Sequence, residues 1–281
     1  MIDLHTHTTC SDGTDRPREL VNKALVQGLE ILGITDHDTT SGWEEATQAL
    51  RGSLKLVLGA EISCLTNDGI SVHMLGMLFD PHHKEMQEVL EETRDGRLPR
   101  MRKMIAKMQA EGMDISIEDV EKAMPVGATM GRPHLADALV AKKIVKSRDE
   151  AFIDLLHNDS RFYVSHAAPT PVEAIALIRR AGGVAVIAHP FASHRGQILK
   201  PEDFADLVSA GLNGIEVDHR DQSPDEREML RVIARELDLV VTGSSDYHGT
   251  GKMNSLAENH TSREQWQKLE SQADARRVVN A

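Results

Sequence analysis

The chain has 281 residues, of which 40% are hydrophobic, so it is long enough to form a large α/β domain with a substantial core. A formal net charge of −12 argues against a broad basic surface for duplex DNA, and 3% aromatic residues give no sign of a multi-ring stacking platform for single strands. The sequence has two cysteines without a CxxC pair, no apolar stretch of membrane-spanning length and no leader before His5. These features predict a soluble, cytoplasmic protein without a membrane partner.

Short apolar runs predict about seven strands, and helix signals separate most of them. The runs are Met1–Leu4, Ile31–Thr35, Leu54–Ser63, Ser71–Leu78, Gly183–Ala188, Gly214–Val217 and Leu239–Gly243. Their near-continuous apolar character is typical of strands that are buried on both faces. The pattern predicts a barrel-like α/β fold, with a doubly wound open sheet as the alternative.

Helix ends are indicated by capping residues. Capping boxes predict helix starts at Ser41 with Glu44, Ser147 with Glu150, Thr170 with Glu173 and Ser223 with Glu226. Glycines that can adopt a left-handed conformation predict helix ends at Gly28, Gly182 and Gly211.

Residues 81–168 contain successive helix signals and no convincing strand. Apolar residues at helical spacing form two predicted faces, Leu98, Met101, Ile105 and Met108 on one and Leu135, Leu139 and Ile144 on the other. We therefore expect a main domain made of residues 1–80 and 169–281. Residues 81–168 would form a helical insertion that acts as a lid over the active site.

Histidines and carboxylates occur at or just after the apolar runs. His5 and His7 stand two residues apart at the first run, so an extended chain points both imidazoles at one spot, and Asp12 follows in a turn. Residues of the same types at later runs are His37, Glu61, His73, His189, Asp246 and His248. Because barrel chemistry gathers at the carboxyl ends of strands, we expect this set at one rim.

Each of these residues also has an ordinary structural explanation. His5 and His7 could be solvated on a surface strand, and Glu61 could pair with an exposed lysine. A histidine inside an apolar strand, such as His73, is more often a satisfied core residue than a ligand. A metal site, however, explains the whole set with one cause, and we predict divalent metal binding.

The same residues belong to short motifs that occur in a fixed order. The motifs are His5-Thr6-His7, Thr35-Asp36-His37-Asp38-Thr39, Glu61, His73, Ala188-His189-Pro190 and Ser245-Asp246-Tyr247-His248. The series resembles that of the polymerase and histidinol phosphatase (PHP) superfamily of metal-dependent phosphoesterases. The GRPHLA segment at residues 131–136 and the turn at residues 10–13 are similar to the branch of 3',5'-nucleoside bisphosphate phosphatases, also described as RNase AM or TrpH-like. This resemblance implies a distorted seven-stranded (βα) barrel of PHP type.

The resemblance also implies a cluster of two to three divalent ions. One ion would be held by His5, His7, Glu61 and Asp246, a second by Glu61 as a bridge with His73 and His189, and a third by Asp12, His37 and His248. Many superfamily members have histidine in place of Asp12, so the third site is the variable one. Six imidazoles and three carboxylates without a thiolate suit Mn²⁺, Fe²⁺ or Zn²⁺, and the resemblance favours Mn²⁺. Glu61 and Asp246 are the predicted catalytic residues, acting through a metal-activated water, with no general acid assigned.

Three residues outside the metal set are predicted to bind substrate. Arg132 and His134 stand at a helix start, where arginine suits bidentate phosphate recognition, and His194 follows the Ala188-His189-Pro190 motif, with Arg195 beside it as a further candidate. Structural roles for these residues are the alternative. The resemblance implies removal of the 3'-phosphate from a nucleoside 3',5'-bisphosphate, with trimming of short single-stranded RNA from its 5' end as a second task. A histidinol phosphate phosphatase and a noncatalytic metal-binding module remain open.

Overall fold

In the computed structural model, which describes residues 1–165, 167–275 and 278–281, the strands form one mixed sheet. Its first seven strands hydrogen-bond to one another in chain order. They are β1 (Ile2–Asp3), β2 (Ile31–Ile34), β3 (Lys55–Leu65), β4 (Ser71–Met77), β5 (Val184–Ala188), β6 (Gly214–Asp218) and β7 (Val240–Gly243). A short strand that the sequence pattern does not predict, β8 (Val279–Asn280), pairs with β3.

The sheet changes direction at β4 and then nearly closes. Strands β1, β2 and β3 are parallel, β4 is antiparallel to both β3 and β5, and β5, β6 and β7 are again parallel. Thr6 forms a parallel bridge with Tyr247, and the His7 N–H donates to the Tyr247 carbonyl at 2.8 Å. These contacts join the two ends of the sheet. The predicted α/β barrel is confirmed, and the open sheet is not formed.

The helices alternate with the strands except in one long stretch after β4. They are α1 (Pro17–Gln27), α2 (Trp43–Ala49), α3 (Lys84–Asp95), α4 (Arg97–Ala110), α5 (Ile117–Ala123), α6 (Arg132–Ala141), α7 (Arg148–Ala151), α8 (Pro171–Arg180), α9 (Asp203–Ser209), α10 (Pro224–Glu236) and α11 (Arg263–Glu270). A π-helical turn, Phe152–Leu156, continues α7, and 3-10 turns occupy Ser193–Arg195 and Gly249–Gly251.

Most of the predicted helix ends are confirmed. Thr170 and Ser223 accept N–H bonds from the first turns of α8 and α10 within capping boxes. The box predicted at Ser41 is wrong, because α2 has Gly42 at its N-cap and the Ser41 N–H donates instead to Thr39 Oγ1 at 3.2 Å. Gly28 ends α1 with a φ of 74°.

The barrel strands bury both faces. Along β3, Leu56 and Leu58 belong to a large cluster with helix residues such as Leu20, whereas Val57 between them packs in a second cluster with Leu75. This alternation follows from the period of two in a strand. It confirms that the apolar runs are strands covered on both sides.

The stretch after α3 has a hydrophobic core of its own. Its buried members include Met101, Met104, Ile105, Met108, Val120, Leu135, Leu139 and Phe162. The predicted apolar face of α4 is wrong at Leu98, which is 37% exposed. Met86 and Leu90 of α3 pack in the barrel cluster, so α3 belongs with the barrel by its packing. The boundaries at 81 and 168 and the lid role stay predictions.

In the described part of the chain, no helix has the length and apolar character needed to cross a membrane.

Candidate metal centre

The side chains of His5 and His7 follow β1 and converge on one point. Their Nε2 atoms lie 3.1 Å apart. Glu61 in β3 places Oε2 3.2 Å from the His5 nitrogen and 3.1 Å from the His7 nitrogen. Asp246 Oδ1 lies 3.6 and 3.4 Å from the same two nitrogens. Donors about 2.0–2.2 Å from one tetrahedral ion lie about 3.3–3.6 Å apart, so this group has the spacing of a single site.

Glu61 faces two groups of nitrogens at once. Its Oε1 lies 2.7 Å from His73 Nδ1 and 3.3 Å from His189 Nε2, on the side away from the first pair. Its Oε2 is also 3.1 Å from His37 Nδ1. One carboxylate thus has an oxygen for each of two neighbouring sites, which is the geometry that a bridging ligand needs.

A third group surrounds Asp12. Its Oδ1 lies 3.2 Å from His248 Nε2, and its Oδ2 lies 3.7 Å from His37 Nε2. Among the described residues, Asp12 Oδ1, His37 Nδ1 and His248 Nε2 are buried atoms with no hydrogen-bond partner. Leaving a buried polar group unsatisfied costs about 1–3 kcal/mol, and a divalent ion beside Asp12 would satisfy Asp12 Oδ1 and His248 Nε2, whereas His37 Nδ1 faces Glu61 Oε2. The donor atoms therefore fit the implied ions.

The structure brings together all nine residues predicted as ligands. They are His5, His7, Asp12, His37, Glu61, His73, His189, Asp246 and His248. His73 reaches the rim for a different reason from the others, because it lies near the amino end of the antiparallel strand β4. The hairpin between β3 and β4 returns the chain to the rim at which Glu61 already lies, and His73 pairs with Ser63 across the two strands.

Protonation favours metal binding at three of the histidines. Burial lowers the pKa of His37 and of His189 to about 3, and that of His248 to about 4. Burial opposes ionisation of Asp12 and Glu61, but the surrounding imidazoles hold the pKa of both carboxyls well below the ordinary range. Neutral imidazoles and ionised carboxylates are the forms that bind divalent ions.

His5 and His7 respond differently to the same surroundings. Burial disfavours their charge, but Glu61, Glu216 and Asp246 raise the pKa of His5 well above 6.5. Bonds to Asp246 and Glu61 raise the pKa of His7 to about 9 despite its burial. Excess negative charge at the centre of the site therefore holds protons where cations would otherwise bind.

Glu216 is a buried carboxylate beside the centre that sequence reasoning missed. It lies within β6, where its Oε1 is 3.1 Å from His5 Nδ1 and its Oε2 accepts the His189 N–H at 3.0 Å. Burial opposes its charge, but His5 lowers the pKa of Glu216 to about 2. A carboxylate on Nδ1 orients the ring so that Nε2 faces the centre. A charged residue in the middle of an otherwise apolar strand was the available signal.

Two further aspartates hold the loops that carry the ligands. Asp36 accepts the Thr8 N–H at 2.7 Å and the Ser11 hydroxyl at 2.6 Å, which fixes the turn leading to Asp12. Asp3 accepts the Ser245 N–H at 3.1 Å and its hydroxyl at 2.6 Å, just before Asp246. Because these bonds are buried, they hold the ligands in place before any ion binds.

A cavity of about 1050 Å³ opens from the centre, and basic side chains line it. They are Arg97, Arg100, Arg132, Arg148, Arg195, Arg220 and Lys252. Lys252 Nζ and Arg195 Nη2 donate to Asp246 Oδ2 at 2.8 and 3.0 Å, which leaves Oδ1 facing His5 and His7. Except for Arg132 and Arg195, sequence reasoning missed this basic lining, because its members are distant in sequence and share no motif.

The three residues predicted to bind substrate lie in different environments. Arg132 lines the cavity, and so does His194, whose side chain is 60% exposed. His134 is only 2% exposed, and its Nδ1 accepts the Gly131 N–H at 3.1 Å. His134 therefore closes the first turn of α6, and it is not among the described residues that line the cavity.

Comparison with protein families decides the family of this chain, since the family model described as PHP domain matches residues 3–156. The chain belongs to the PHP domain family. A 3',5'-nucleoside bisphosphate phosphatase from Chromobacterium violaceum is 32% identical over 252 residues, covering 89% of this chain and 88% of that protein. A 5'-3' exoribonuclease from Haemophilus influenzae is 35% identical over 249 residues, covering 88% and 89%.

A solved structure from Bifidobacterium adolescentis, described as a metal-dependent phosphoesterase, extends the likeness to three dimensions. It shares 40% sequence identity with this PHP protein and superimposes with a TM-score of 0.90 over 97% of this chain and 96% of that one. The protein is thus a metal-dependent phosphoesterase with a PHP-type barrel and candidate histidine and carboxylate metal sites.

Proposed function

We propose that this protein removes the 3'-phosphate of a nucleoside 3',5'-bisphosphate and releases the 5'-monophosphate. The observation that carries the proposal is one cavity lined by two groups of residues suited to phosphate. Residues of the candidate metal centre form one group, and Arg97, Arg100, Arg132 and Arg148 of the helical stretch (residues 97–165) form the other. The name of the Chromobacterium violaceum relative supports the same substrate class.

Two of these arginines lack an acidic partner in the described part of the chain. Arg132 Nη1 donates to the Leu156 carbonyl at 2.6 Å and to Asn158 Oδ1 at 2.7 Å, and the Arg100 Nε donates to a backbone carbonyl at 2.6 Å. Both guanidinium groups lie over the Tyr163 ring, at 5.5 and 5.2 Å. Burial and the repulsion from Arg100 lower the pKa of Arg132 to about 10. A phosphate would relieve this repulsion with bidentate hydrogen bonds.

We propose that the centre holds two to three divalent ions, with Mn²⁺ as the native metal. The ligands would be His5, His7, Glu61 and Asp246 for the first ion, Glu61, His73 and His189 for the second, and Asp12, His37 and His248 for the third. Bound there, the ions would supply Lewis-acid charge to the phosphate ester and acidify water. Arg195 and Lys252 would add positive charge beside the departing phosphate and hold Asp246 in one orientation.

The test compares substrates that differ by one phosphate. Arg132→Gln should lower kcat/KM for adenosine 3',5'-bisphosphate by about 10- to 100-fold, since a hydrogen bond to a charged group contributes about 1.5–3 kcal/mol. The same variant should leave kcat/KM for adenosine 3'-monophosphate nearly unchanged. Arg161→Gln is the matched control, because Arg161 is an exposed arginine of the same helical stretch. Equal losses on both substrates would contradict a role for Arg132 in binding the second phosphate.

Short RNA is a second candidate substrate. The cavity volume of about 1050 Å³ lies at the upper end of the range for small-molecule pockets, so it has room for more than one nucleotide. The Haemophilus influenzae relative is named as an exoribonuclease. Release of mononucleotides from a 5'-phosphorylated RNA of about five residues tests this activity. Histidinol phosphate carries an ammonium group, which the basic lining would repel, so we expect the poorest turnover with it. Hydrolysis of none of these compounds would favour a noncatalytic module.

A further inference from the structure

Two large apolar side chains lie exposed on the rim of the basic cavity. Ile153 is 73% exposed and belongs to the π-helical turn after α7. Met253 is 77% exposed and follows the 3-10 turn Gly249–Gly251 of the barrel. Both line the cavity that contains the candidate metal centre. Single exposed apolar residues are common, but these two come from separate parts of the chain and line the same charged cavity.

The segments that carry the pair are bonded to each other. Arg148, five residues before Ile153, donates through Nη1 to the Gly251 carbonyl at 3.1 Å, two residues before Met253. Arg148 is itself held by Asp137, with Nη2 2.5 Å from Oδ2. A Cβ added at Gly251 would overlap with the Arg148 Nη1 atom, so a larger residue there would displace this guanidinium. The rim is therefore built jointly by the helical stretch and the barrel.

We propose that Ile153 and Met253 form the binding site for the nucleobase of the substrate. This inference rests on the proposed function, because the sugar would lie between the two groups of residues suited to phosphate and its base would extend toward the cavity mouth. A base has flat faces that the flexible methionine side chain and the branched isoleucine side chain can cover. Methionine sulfur also makes favourable contacts with aromatic rings. The proposed contacts act through shape and dispersion rather than hydrogen bonds, so they suit purines and pyrimidines alike.

The experiment compares ligands with and without a base. In the Mn²⁺-loaded protein, the double variant Ile153→Ser and Met253→Ser should weaken binding of adenosine 5'-monophosphate by about tenfold, measured by calorimetry. Binding of ribose 5-phosphate, which has the same phosphate and no base, should change less than twofold. The control is Val126→Ser with Met229→Ser, which changes two exposed apolar residues that lie outside the cavity lining among the described residues.

The inference and the proposed function fail in different ways. Equal effects of the double variant on both ligands, or equal affinity of the unmodified protein for both, would overturn the nucleobase site. Hydrolysis is measured separately with adenosine 3',5'-bisphosphate and ribose 3,5-bisphosphate. If the unmodified protein hydrolyses neither compound, the proposed function fails, while the calorimetric comparison still decides whether Ile153 and Met253 bind a base.

Discussion

Replacing Glu216 by glutamine tests whether a buried carboxylate outside the ligand set controls metal affinity. The substitution keeps the shape of the side chain and removes its charge. In the unmodified protein, Glu216 accepts from two directions, with Oε1 near His5 Nδ1 and Oε2 bonded to the backbone N–H of His189. A glutamine has a single carbonyl oxygen, so its amide nitrogen must face one of these donors. One buried N–H then loses its acceptor.

The lost acceptor costs about 1–3 kcal/mol of folding stability with or without metal, so the effect on metal affinity comes from the weaker orientation of the His5 ring. Loss of a carboxylate behind a ligating histidine typically lowers metal affinity about 10- to 100-fold. We therefore expect the Mn²⁺ dissociation constant of Glu216→Gln to rise by about 10- to 100-fold at neutral pH, where the low pKa of Glu216 keeps it ionised in the unmodified protein.

Competition with a fluorescent chelator measures the dissociation constant, and elemental analysis gives the number of ions per chain. Glu228→Gln is the matched control, because Glu228 is an exposed glutamate of the neighbouring helix α10. Circular dichroism establishes that both variants are folded. A folded Glu216→Gln protein with a metal affinity within twofold of the unmodified protein would refute the role given to Glu216.

Three further predictions concern the centre and its link to the helical stretch. Asp12→Ala should remove about one equivalent of metal and leave the remaining ions bound, which elemental analysis after dialysis measures. A variant that keeps all its metal would contradict the proposed third site. Metal affinity should rise between pH 6 and about 9, because His5 and His7, whose pKa values are raised, must lose their protons before they bind metal. Calorimetry in buffers of different ionisation enthalpy should detect the protons that are released. Metal binding without proton release would contradict this prediction. Arg97→Met should destabilise the fold by about 3–5 kcal/mol in urea unfolding, because it leaves the buried Asp38 carboxylate unpaired. A loss below 1 kcal/mol would show that Asp38 is stabilised by other groups.

The convergence of the nine candidate ligands could be predicted because each candidate lies in or next to a recognisable apolar run. His5 and His7 follow β1 two residues apart, and His189 directly follows β5, so the local pattern and barrel geometry predict that they lie close together. Glu216 was missed although its charge within an apolar run was a signal, because its role depends on the approach of His5 from a strand that is distant in sequence. The sequence alone could not show that His134 caps α6, since a histidine at a helix start satisfies the helix as readily as it binds a ligand.

The His37-Asp38 dipeptide explains how the helical stretch is tied to the centre. His37 Nε2 faces Asp12, whereas Asp38 adopts a left-handed φ of 52° that directs its carboxylate to the Arg97 guanidinium, whose Nε donates at 3.2 Å. The same carboxylate accepts the Ser63 N–H at 2.8 Å. Burial raises the pKa of Asp38, but Arg97 outweighs it and lowers the pKa, so this stabilisation is present above about pH 4 and is lost as the pH falls further. Because α4 carries both Arg97 and Arg100, the Asp38–Arg97 pair that fixes α4 against the loop after β2 also sets the distance between Arg100 and the metal centre.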